Sequence, residues 1–138
     1  SYKWGKFLPI SFPTTHRKIM EIKKQIASML IAWRYAKGQT QSKVAKVLGV
    51  TFQQVQKYEK GQNGLSAEKL ILFCQHYEIN LNSFVDGDPY QVLDGATIPS
   101  HYKEKALTNI EKLEEVKNDK GRSYEDMVGQ SLNPRTYL

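Results

Sequence analysis

The sequence predicts an all-α protein, and three observations support this. Apolar residues recur at intervals of three and four along several segments, which is the spacing of one face of a helix. Residues that cap helix starts precede these segments, and glycines that end helices follow them. No stretch alternates between apolar and polar residues for more than a few positions, so no strand pattern competes with the helices. We therefore expect helices joined by short turns.

The first part of the chain is predicted to be an arm followed by a long helix. Residues 1–13 are rich in aromatic side chains, contain two prolines and show no period, which favours an extended arm packed on another element. Thr14 or Thr15 is expected to cap a helix that runs to Gly38. Its apolar stripe consists of Ile19, Ile22, Ile26, Met29, Leu30 and Trp33. Arg34 falls at the border of this stripe, so its charge should need a partner.

Two short helices joined by a glycine turn are predicted next. Thr40 is the expected N-cap of the second helix, and Gly49 can take the left-handed conformation that ends it. Thr51 opens the third helix, where Gln54 would complete a capping box, and the helix ends near Gly61. Such a pair, with a polar outer face on its second helix, describes a helix-turn-helix.

Two more helices and a tail are predicted to follow. Ser66 caps the fourth helix, whose core face is Leu70, Phe73, Cys74 and Tyr77. Asn80 is expected to cap a short fifth helix, and Ile79 and Phe84 form a hydrophobic staple there. The segment "DGDP" reads as a boundary, residues 90–100 as irregular, and residues 101–119 as an amphipathic helix that Gly121 closes. A final short helix is expected around Tyr124–Val128. The predicted organisation is thus an arm (1–13), a domain (14–86), and a linker with a helical tail (87–138).

Composition indicates a polyanionic partner for the first part of the chain. The net charge is +6, but residues 1–86 hold 13 Lys and Arg against 5 Asp and Glu, whereas residues 87–138 hold 7 against 9. A basic module before a slightly acidic tail is typical of a protein that binds nucleic acid through the module. Many basic domains bind nothing charged, so charge alone leaves this open.

Several function classes find no support in the sequence. The single cysteine, Cys74, excludes an internal disulfide and suits a reducing compartment. The three histidines have no thiol neighbours at ligand spacing, so we expect no metal. No nucleophile–base pair or phosphate-binding loop appears, so we expect neither catalysis nor a cofactor. No apolar run approaches the roughly 20 residues that cross a bilayer, and we expect a cytoplasmic protein.

The outer face of the third helix carries amides and ammonium groups. At 100° per residue, Val55 and Tyr58 point inward, whereas Gln53, Gln56, Lys57 and Lys60 point outward and Phe52 lies at the edge. Glutamine can pair with adenine in the major groove, and lysine can reach guanine acceptors or phosphate. A solvated surface helix is the alternative, although such helices usually mix Glu with Lys.

The segment "QTQSKVAKVLGVTFQQVQKYEKG" (residues 39–61) resembles the Cro-type, or XRE, helix-turn-helix family of phage repressors. Ala45 stands where the two helices touch, Gly49 is the turn glycine, and Val55 is the buried β-branched residue of the second helix. The resemblance covers roughly residues 22–85. It implies an all-α, five-helix repressor-like DNA-binding domain of bacterial or phage origin, here with an N-terminal arm and a C-terminal helical extension.

The resemblance also implies roles for individual residues. Arg34 and Glu59 match a structural ion pair between the first and third helices. Gln41 resembles the glutamine that contacts a phosphate beside the N-cap Thr40. Base reading is implied for Phe52, Gln53 and Lys57, with Gln56 peripheral, and contacts to the DNA backbone for Lys60, Gln62 and Asn63. Gln54 either completes its capping box or contacts a phosphate, and Phe52 either meets a thymine methyl group or packs against the second helix.

Two questions of partnership stay open in the sequence. One module reads few base pairs, so we expect a homodimer on a pseudo-palindromic operator. The stripe of Leu107, Ile110, Leu113 and Val116 either contacts a second subunit or folds back on its own domain. The leading interpretation is a sequence-specific regulator of transcription, most simply a repressor. The alternative is an antitoxin whose toxin binds the arm or the tail and whose DNA binding is autoregulatory.

Overall fold

The computed structural model of the protein describes residues 11–115, and this part of the chain is entirely helical, as predicted. One compact unit runs from Lys23 to Glu114, and a second unit contains, within the described range, residues 11–22 and Glu115. In chain order the helices are α1 (Ser11–Ala36), α2 (Gln41–Leu48), α3 (Phe52–Glu59), α4 (Ala67–Tyr77), α5 (Ser83–Asp86), α6 (Pro89–Asp94) and α7 (Ser100–Leu113). Between residues 11 and 115, no helix is both long and apolar enough to cross a bilayer.

Helix α1 begins earlier than the sequence predicted. It starts at Ser11, and the prediction of a start at Thr14 or Thr15 was wrong. Pro13 lies in the first turn, where a helix has no partner for backbone N–H groups and where proline is therefore tolerated. The helix ends as predicted before Gly38, which has a φ of 66°. The first ten residues of the predicted arm lie outside the described range.

The middle of α1 is buried on every side, not along one stripe. Residues 27–32 are all buried, including Ala27, Ile31 and Ala32, which the predicted stripe omitted. By contrast Ile19 and Ile22, which the stripe included, are each 50% exposed. A helix that is buried all round must have neighbours on opposite sides. Helix α1 is therefore the central element of the unit that begins at Lys23.

The turn between α2 and α3 follows local signals in the sequence. The Thr40 hydroxyl accepts a hydrogen bond from the Lys43 N–H, and the Thr51 hydroxyl accepts one from the Gln54 N–H. Gly49 has a φ of 68°, a left-handed conformation that side chains disfavour and that ends α2. Together these features determine where α3 begins and the direction in which the chain continues after α2.

One apolar core lies beneath α2 and α3. Its members are Met29, Leu30, Val44, Ala45, Leu48, Val55, Tyr58, Phe73, Cys74, Ile79 and Phe84. Phe73 stacks edge-on against Tyr77 and Phe84, with ring centroids 4.9 and 6.1 Å apart. The core thus receives side chains from α1 to α5 and holds the helix-turn-helix against α1 and α4.

The short helix α5 begins later than predicted. Ser66 caps α4 as expected, because its hydroxyl accepts a hydrogen bond from the Lys69 N–H. Asn80, however, does not cap a helix. Its side-chain oxygen accepts the Asn82 N–H within a turn, and α5 starts at Ser83.

Helices α6 and α7 continue the compact unit beyond residue 86. Residues 89–94 form α6 although residues 90–100 were predicted to be irregular. Asp88 caps this helix by accepting the Tyr90 N–H, and Leu93 is 1% exposed. The segment "DGDP" therefore starts a helix within the unit.

Helix α7 ends at Leu113, six residues before the predicted end at residue 119. Ile110 and Leu113 are buried within the chain. The alternative in which this stripe folds back on its own domain is therefore the one the structure adopts, with Leu107 half-buried. Val116, Gly121 and the predicted final helix at Tyr124–Val128 lie outside the described range.

Candidate nucleic-acid interface

A buried ion pair fixes the inner side of α3. Arg34 on α1 is 6% exposed and Glu59 at the end of α3 is 5% exposed. The Arg34 Nε donates to Glu59 Oε2 at 2.5 Å and its Nη2 donates to Oε1 at 3.0 Å, which is the bidentate geometry of a strong pair. Arg34 Nη1 also donates to the Gln39 carbonyl oxygen at 3.0 Å. The structure thus brings together the two residues predicted to form a structural ion pair.

The charge state of Arg34 depends on Glu59. Burial by itself lowers the pKa of the guanidinium, because desolvation penalises the charged form. The hydrogen bonds that Arg34 donates to Glu59 and the attraction of that carboxylate oppose this, with smaller contributions from Tyr35, and leave the Arg34 pKa raised above its ordinary value. Arg34 therefore stays a cation and a fixed partner for the last turn of α3.

Gln41 ties α2 to the same carboxylate. Its Nε2 donates to Glu59 Oε1 at 2.9 Å, so one carboxylate joins α1, α2 and α3. An amide nitrogen carries two hydrogens. This bond consequently holds the amide in place and leaves one N–H for the phosphate contact that the family resemblance implies.

The outer side of α3 faces solvent. Gln53, Lys57 and Lys60 are exposed, and Phe52 is 41% exposed. Gln56 is half-buried, in keeping with a peripheral position on this face. The remaining members of the predicted set are the exposed Thr40 and Asn63 and the half-buried Gln41 and Gln54. All of these predicted contact residues lie on α2, on α3 or in the loops at their ends.

The loop after α3 is held against the helix. The backbone N–H of Gln62 donates to the Lys57 carbonyl oxygen at 2.9 Å. The Asn63 Nδ2 lies 3.5 Å from the Gln54 Oε1, so these two amides are neighbours. The Gln54 side chain thus lies against the following loop. Its backbone N–H donates to the Thr51 hydroxyl, which is one of the two hydrogen bonds of a capping box.

The surface of α2 and α3 carries positive charge without exposed carboxylates. Between Glu21 and Glu68 the sequence has a single acidic residue, Glu59, which is buried against Arg34. The exposed lysines on or beside these helices are Lys37, Lys43, Lys46, Lys57 and Lys60. A surface with this charge attracts polyanions and has no carboxylate to repel them.

Comparison with known proteins identifies the domain. The family model described as Helix-turn-helix matches residues 30–84, which contain α2, α3, α4 and the end of α1. This match supports the Cro-type (XRE) helix-turn-helix family for residues 30–84. In this domain α3 stands at the position of the second helix of the motif, whose exposed side chains face the major groove in DNA-binding members.

Several curated proteins are similar to part of this chain. An uncharacterized HTH-type transcriptional regulator of Rickettsia conorii is 36% identical over 69 residues, which are 50% of this chain and 55% of that protein. One from Rickettsia prowazekii is also 36% identical over 69 residues, 53% of its length. One from Sinorhizobium medicae is 40% identical over 52 residues, 38% of this chain and 37% of that protein. The chain thus spans about half the length of the rickettsial proteins. No solved structure is a significant match.

The structure adds a groove beside the helix-turn-helix domain that the sequence did not reveal. It lies between the start of α2 and the start of α7, has a volume of about 690 Å³, and includes Thr40, Gln41 and Phe52 in its lining. Tyr102, Lys105 and Asn109 of α7 line its other side. The only sequence signal was their spacing of three and four residues, which places them on one face of a helix but does not say which neighbour that face meets.

No cluster of His, Cys, Asp and Glu side chains suited to a metal ion occurs among residues 11–115. Burial raises the pKa of the Cys74 thiol, as expected for a cysteine that packs in the core.

Proposed function

We propose that the protein is a sequence-specific, double-stranded DNA-binding regulator of transcription that inserts α3 into the major groove. The observation that carries this is the surface of α2 and α3, where five lysines and Gln53 are exposed, three further glutamines are half-buried, and the one carboxylate is buried in an ion pair. A helix with this face needs a rigid support to read bases, and the Arg34–Glu59 pair supplies it.

Base reading is assigned to the residues of α3 that face outward. Gln53 and Lys57 are exposed one turn apart, so both can reach base edges in one groove. A glutamine amide pairs bidentately with adenine, and a lysine donates to guanine. Phe52, at the start of the helix, offers an apolar edge to a thymine methyl group, and Gln56 lies at the margin of the contact.

Backbone contacts are assigned to the ends of the two helices. Thr40 and Gln41 lie at the N-terminus of α2, where backbone N–H groups and the helix dipole favour a phosphate. Lys60 and Asn63 lie at the other end, in and after the last turn of α3, and Gln54 adjoins Asn63. Contacts to phosphates on both sides of α3 would fix its depth and angle in the groove.

A single domain of this kind reads only a few base pairs, so we propose a homodimer on a pseudo-palindromic operator. The centres of the half-sites would then lie about 34 Å apart, one turn of the duplex. Binding should bring repression where the operator overlaps a promoter. A symmetric site returned by selection, together with a dimer in light scattering, would support the two-fold arrangement, and an asymmetric site would contradict it.

The decisive experiment is selection from random duplex oligonucleotides with the full chain, followed by titration of the selected duplex. Gln53→Ala is expected to keep the fold but to lose about 1–3 kcal/mol of discrimination, roughly 5- to 150-fold, at one base pair per half-site. Gln75→Ala is the matched control, because Gln75 is an exposed glutamine on α4 to which no DNA contact is assigned. Full discrimination by Gln53→Ala would refute the assignment of the reading face, and a selection that enriches no duplex would refute the function.

A further inference from the structure

The groove between α2 and α7 is continuous with the proposed DNA-contacting surface. One wall consists of residues 38–42 and Phe52, and the other of residues 97–99, Tyr102, Lys105 and Asn109. Arg34 and Tyr35 of α1 complete the lining. Three of the residues proposed to contact DNA, namely Thr40, Gln41 and Phe52, therefore share one cleft with the first turns of α7.

The lining of this groove is chemically suited to an anion. It contains no carboxylate, although α7 itself carries Glu104 and Glu111. Of its two cations, Arg34 is committed to Glu59, whereas Lys105 forms no ion pair with any of residues 11–115. Its ammonium group lies 6.0 Å from the centre of the Tyr102 ring. Within the described part of the chain, Lys105 is thus a cation at the edge of the groove without a carboxylate partner.

The backbone position of Lys105 is set by the packing of α7. Tyr102, Lys105 and Asn109 follow one another at spacings of three and four, so they form one row along the helix. Beside this row Ala106 and Ile110 are buried at 0% and 3% exposure. Asn109 Nδ2 also lies 3.5 Å from the Tyr35 Oη on α1. The row is therefore presented by a rigid helix, which lowers the entropic cost of binding.

We propose that this groove is a second binding surface for the DNA backbone, with Lys105 as the ligand of a phosphate. The strand that passes the N-terminus of α2 would continue along the groove, with Tyr102 and Asn109 as uncharged donors beside Lys105. Charge complementarity and continuity with Thr40 and Gln41 favour a nucleic-acid strand as the occupant. This inference rests on the proposed function and extends it, because it adds to the interface a helix outside residues 30–84.

The test is the salt dependence of binding to the duplex obtained by selection, measured by fluorescence anisotropy from about 50 to 200 mM salt. Because the proposed homodimer carries Lys105 twice, loss of one phosphate contact per subunit should make the slope of log K against log salt shallower by about 1.8, which corresponds to roughly 30-fold weaker binding at about 0.15 M. Lys105→Gln is expected to show this change without altering the base preference of the protein. Lys105→Arg keeps the charge and should retain the wild-type slope.

Lys103→Gln is the matched control, because it makes the same charge change on α7 but does not line the groove. It should leave the slope as in the wild type, and equal thermal unfolding of all variants would show that α7 is still packed. A wild-type slope for Lys105→Gln would overturn the inference while leaving the proposed function intact. An equal loss in Lys103→Gln would also overturn it, because general charge would then explain the effect. If the wild-type chain selects no duplex, the proposed function fails and this inference fails with it.

Discussion

Removal of the Glu59 carboxylate is expected to cost several kcal/mol of stability. Glu59 accepts three hydrogen bonds, two from Arg34 and one from Gln41. Glu59→Ala removes all three and leaves the Arg34 guanidinium buried with the Gln39 carbonyl oxygen as a remaining acceptor. Breaking a buried ion pair by removing one partner costs about 3–5 kcal/mol. Two hydrogen bonds to a charged group, at about 1.5–3 kcal/mol each, give a similar figure.

Urea denaturation followed by far-ultraviolet circular dichroism measures this loss. With an m-value of about 1–3 kcal/mol per molar, a loss of that size lowers the midpoint by at least about 1 M. Glu104→Ala removes an exposed carboxylate from α7 and should stay within about 0.5 kcal/mol of the wild type. If Glu59→Ala is unfolded without urea, Glu59→Gln, which retains one acceptor oxygen, supplies the measurement.

A double variant separates the cost of an orphaned charge from the value of the pair. Arg34→Met with Glu59→Met removes both charges at once and should cost less than the sum of the two single substitutions. A loss below about 1 kcal/mol in Glu59→Ala is the size seen for surface ion pairs. Such a result, or strictly additive single substitutions, would refute the view that this pair anchors α3.

Three further predictions concern the core and the turn. Gly49→Ala should cost about 1–2 kcal/mol from backbone strain alone, because a side chain there meets nothing within 4 Å, and Gly49→Asn should cost less in the same urea titration. The Tyr77 hydroxyl is buried without a hydrogen-bond partner among the described residues, so Tyr77→Phe should leave stability unchanged or raise it by about 1 kcal/mol; a loss above that would reveal a missing partner. Burial raises the pKa of Cys74, so the folded state keeps that proton longer than the unfolded chain. Its contribution to the free energy of unfolding is therefore present below the unfolded pKa of about 8.5 and is lost as the pH rises above that value. The free energy of unfolding of Cys74→Ala should decrease less steeply over the same rise in pH.

The helix-turn-helix could be predicted because its signals are local. Thr40, Gly49 and Thr51 each act within three residues of their own position, through a cap or a left-handed turn. Interactions between residues so close in the chain can be predicted from the sequence without knowledge of the fold. The pairing of Arg34 with Glu59 spans 25 residues, and it was inferred from a family resemblance and a stripe-border position, not from spacing alone.

The remaining helices were harder to predict because their burial depends on contacts with distant parts of the chain. The predicted α1 stripe omits Ala27 and Ile31, which are buried. A periodic pattern identifies one buried face of a helix and cannot show that other helices cover the opposite face. The combination of Asp88 and Pro89 is a good helix start, yet the glycine and aspartates around it also suit a loop. The burial of Leu93 favours the helix over the loop, and this burial is visible only in the folded chain.

In the candidate site too, some features follow from the local sequence and others depend on the fold. That Gln53 and Lys57 face outward follows from counting 100° per residue from the buried Val55. That Lys105 shares a groove with Thr40 does not follow from any count, because 65 positions of chain separate them and the packing of α7 brings them together.

The meeting of three helices at Glu59 has an evolutionary consequence. Tyr58 and Glu59, which hold α3 in place, are buried in the protein, whereas Phe52, Gln53 and Lys57 are exposed. If α3 reads DNA as proposed, exchanges at positions 52, 53 and 57 should alter the preferred operator at little cost in folding stability, because substitutions at exposed positions usually change stability little. Divergence of a duplicated copy toward new binding sites would then pass through stable intermediates.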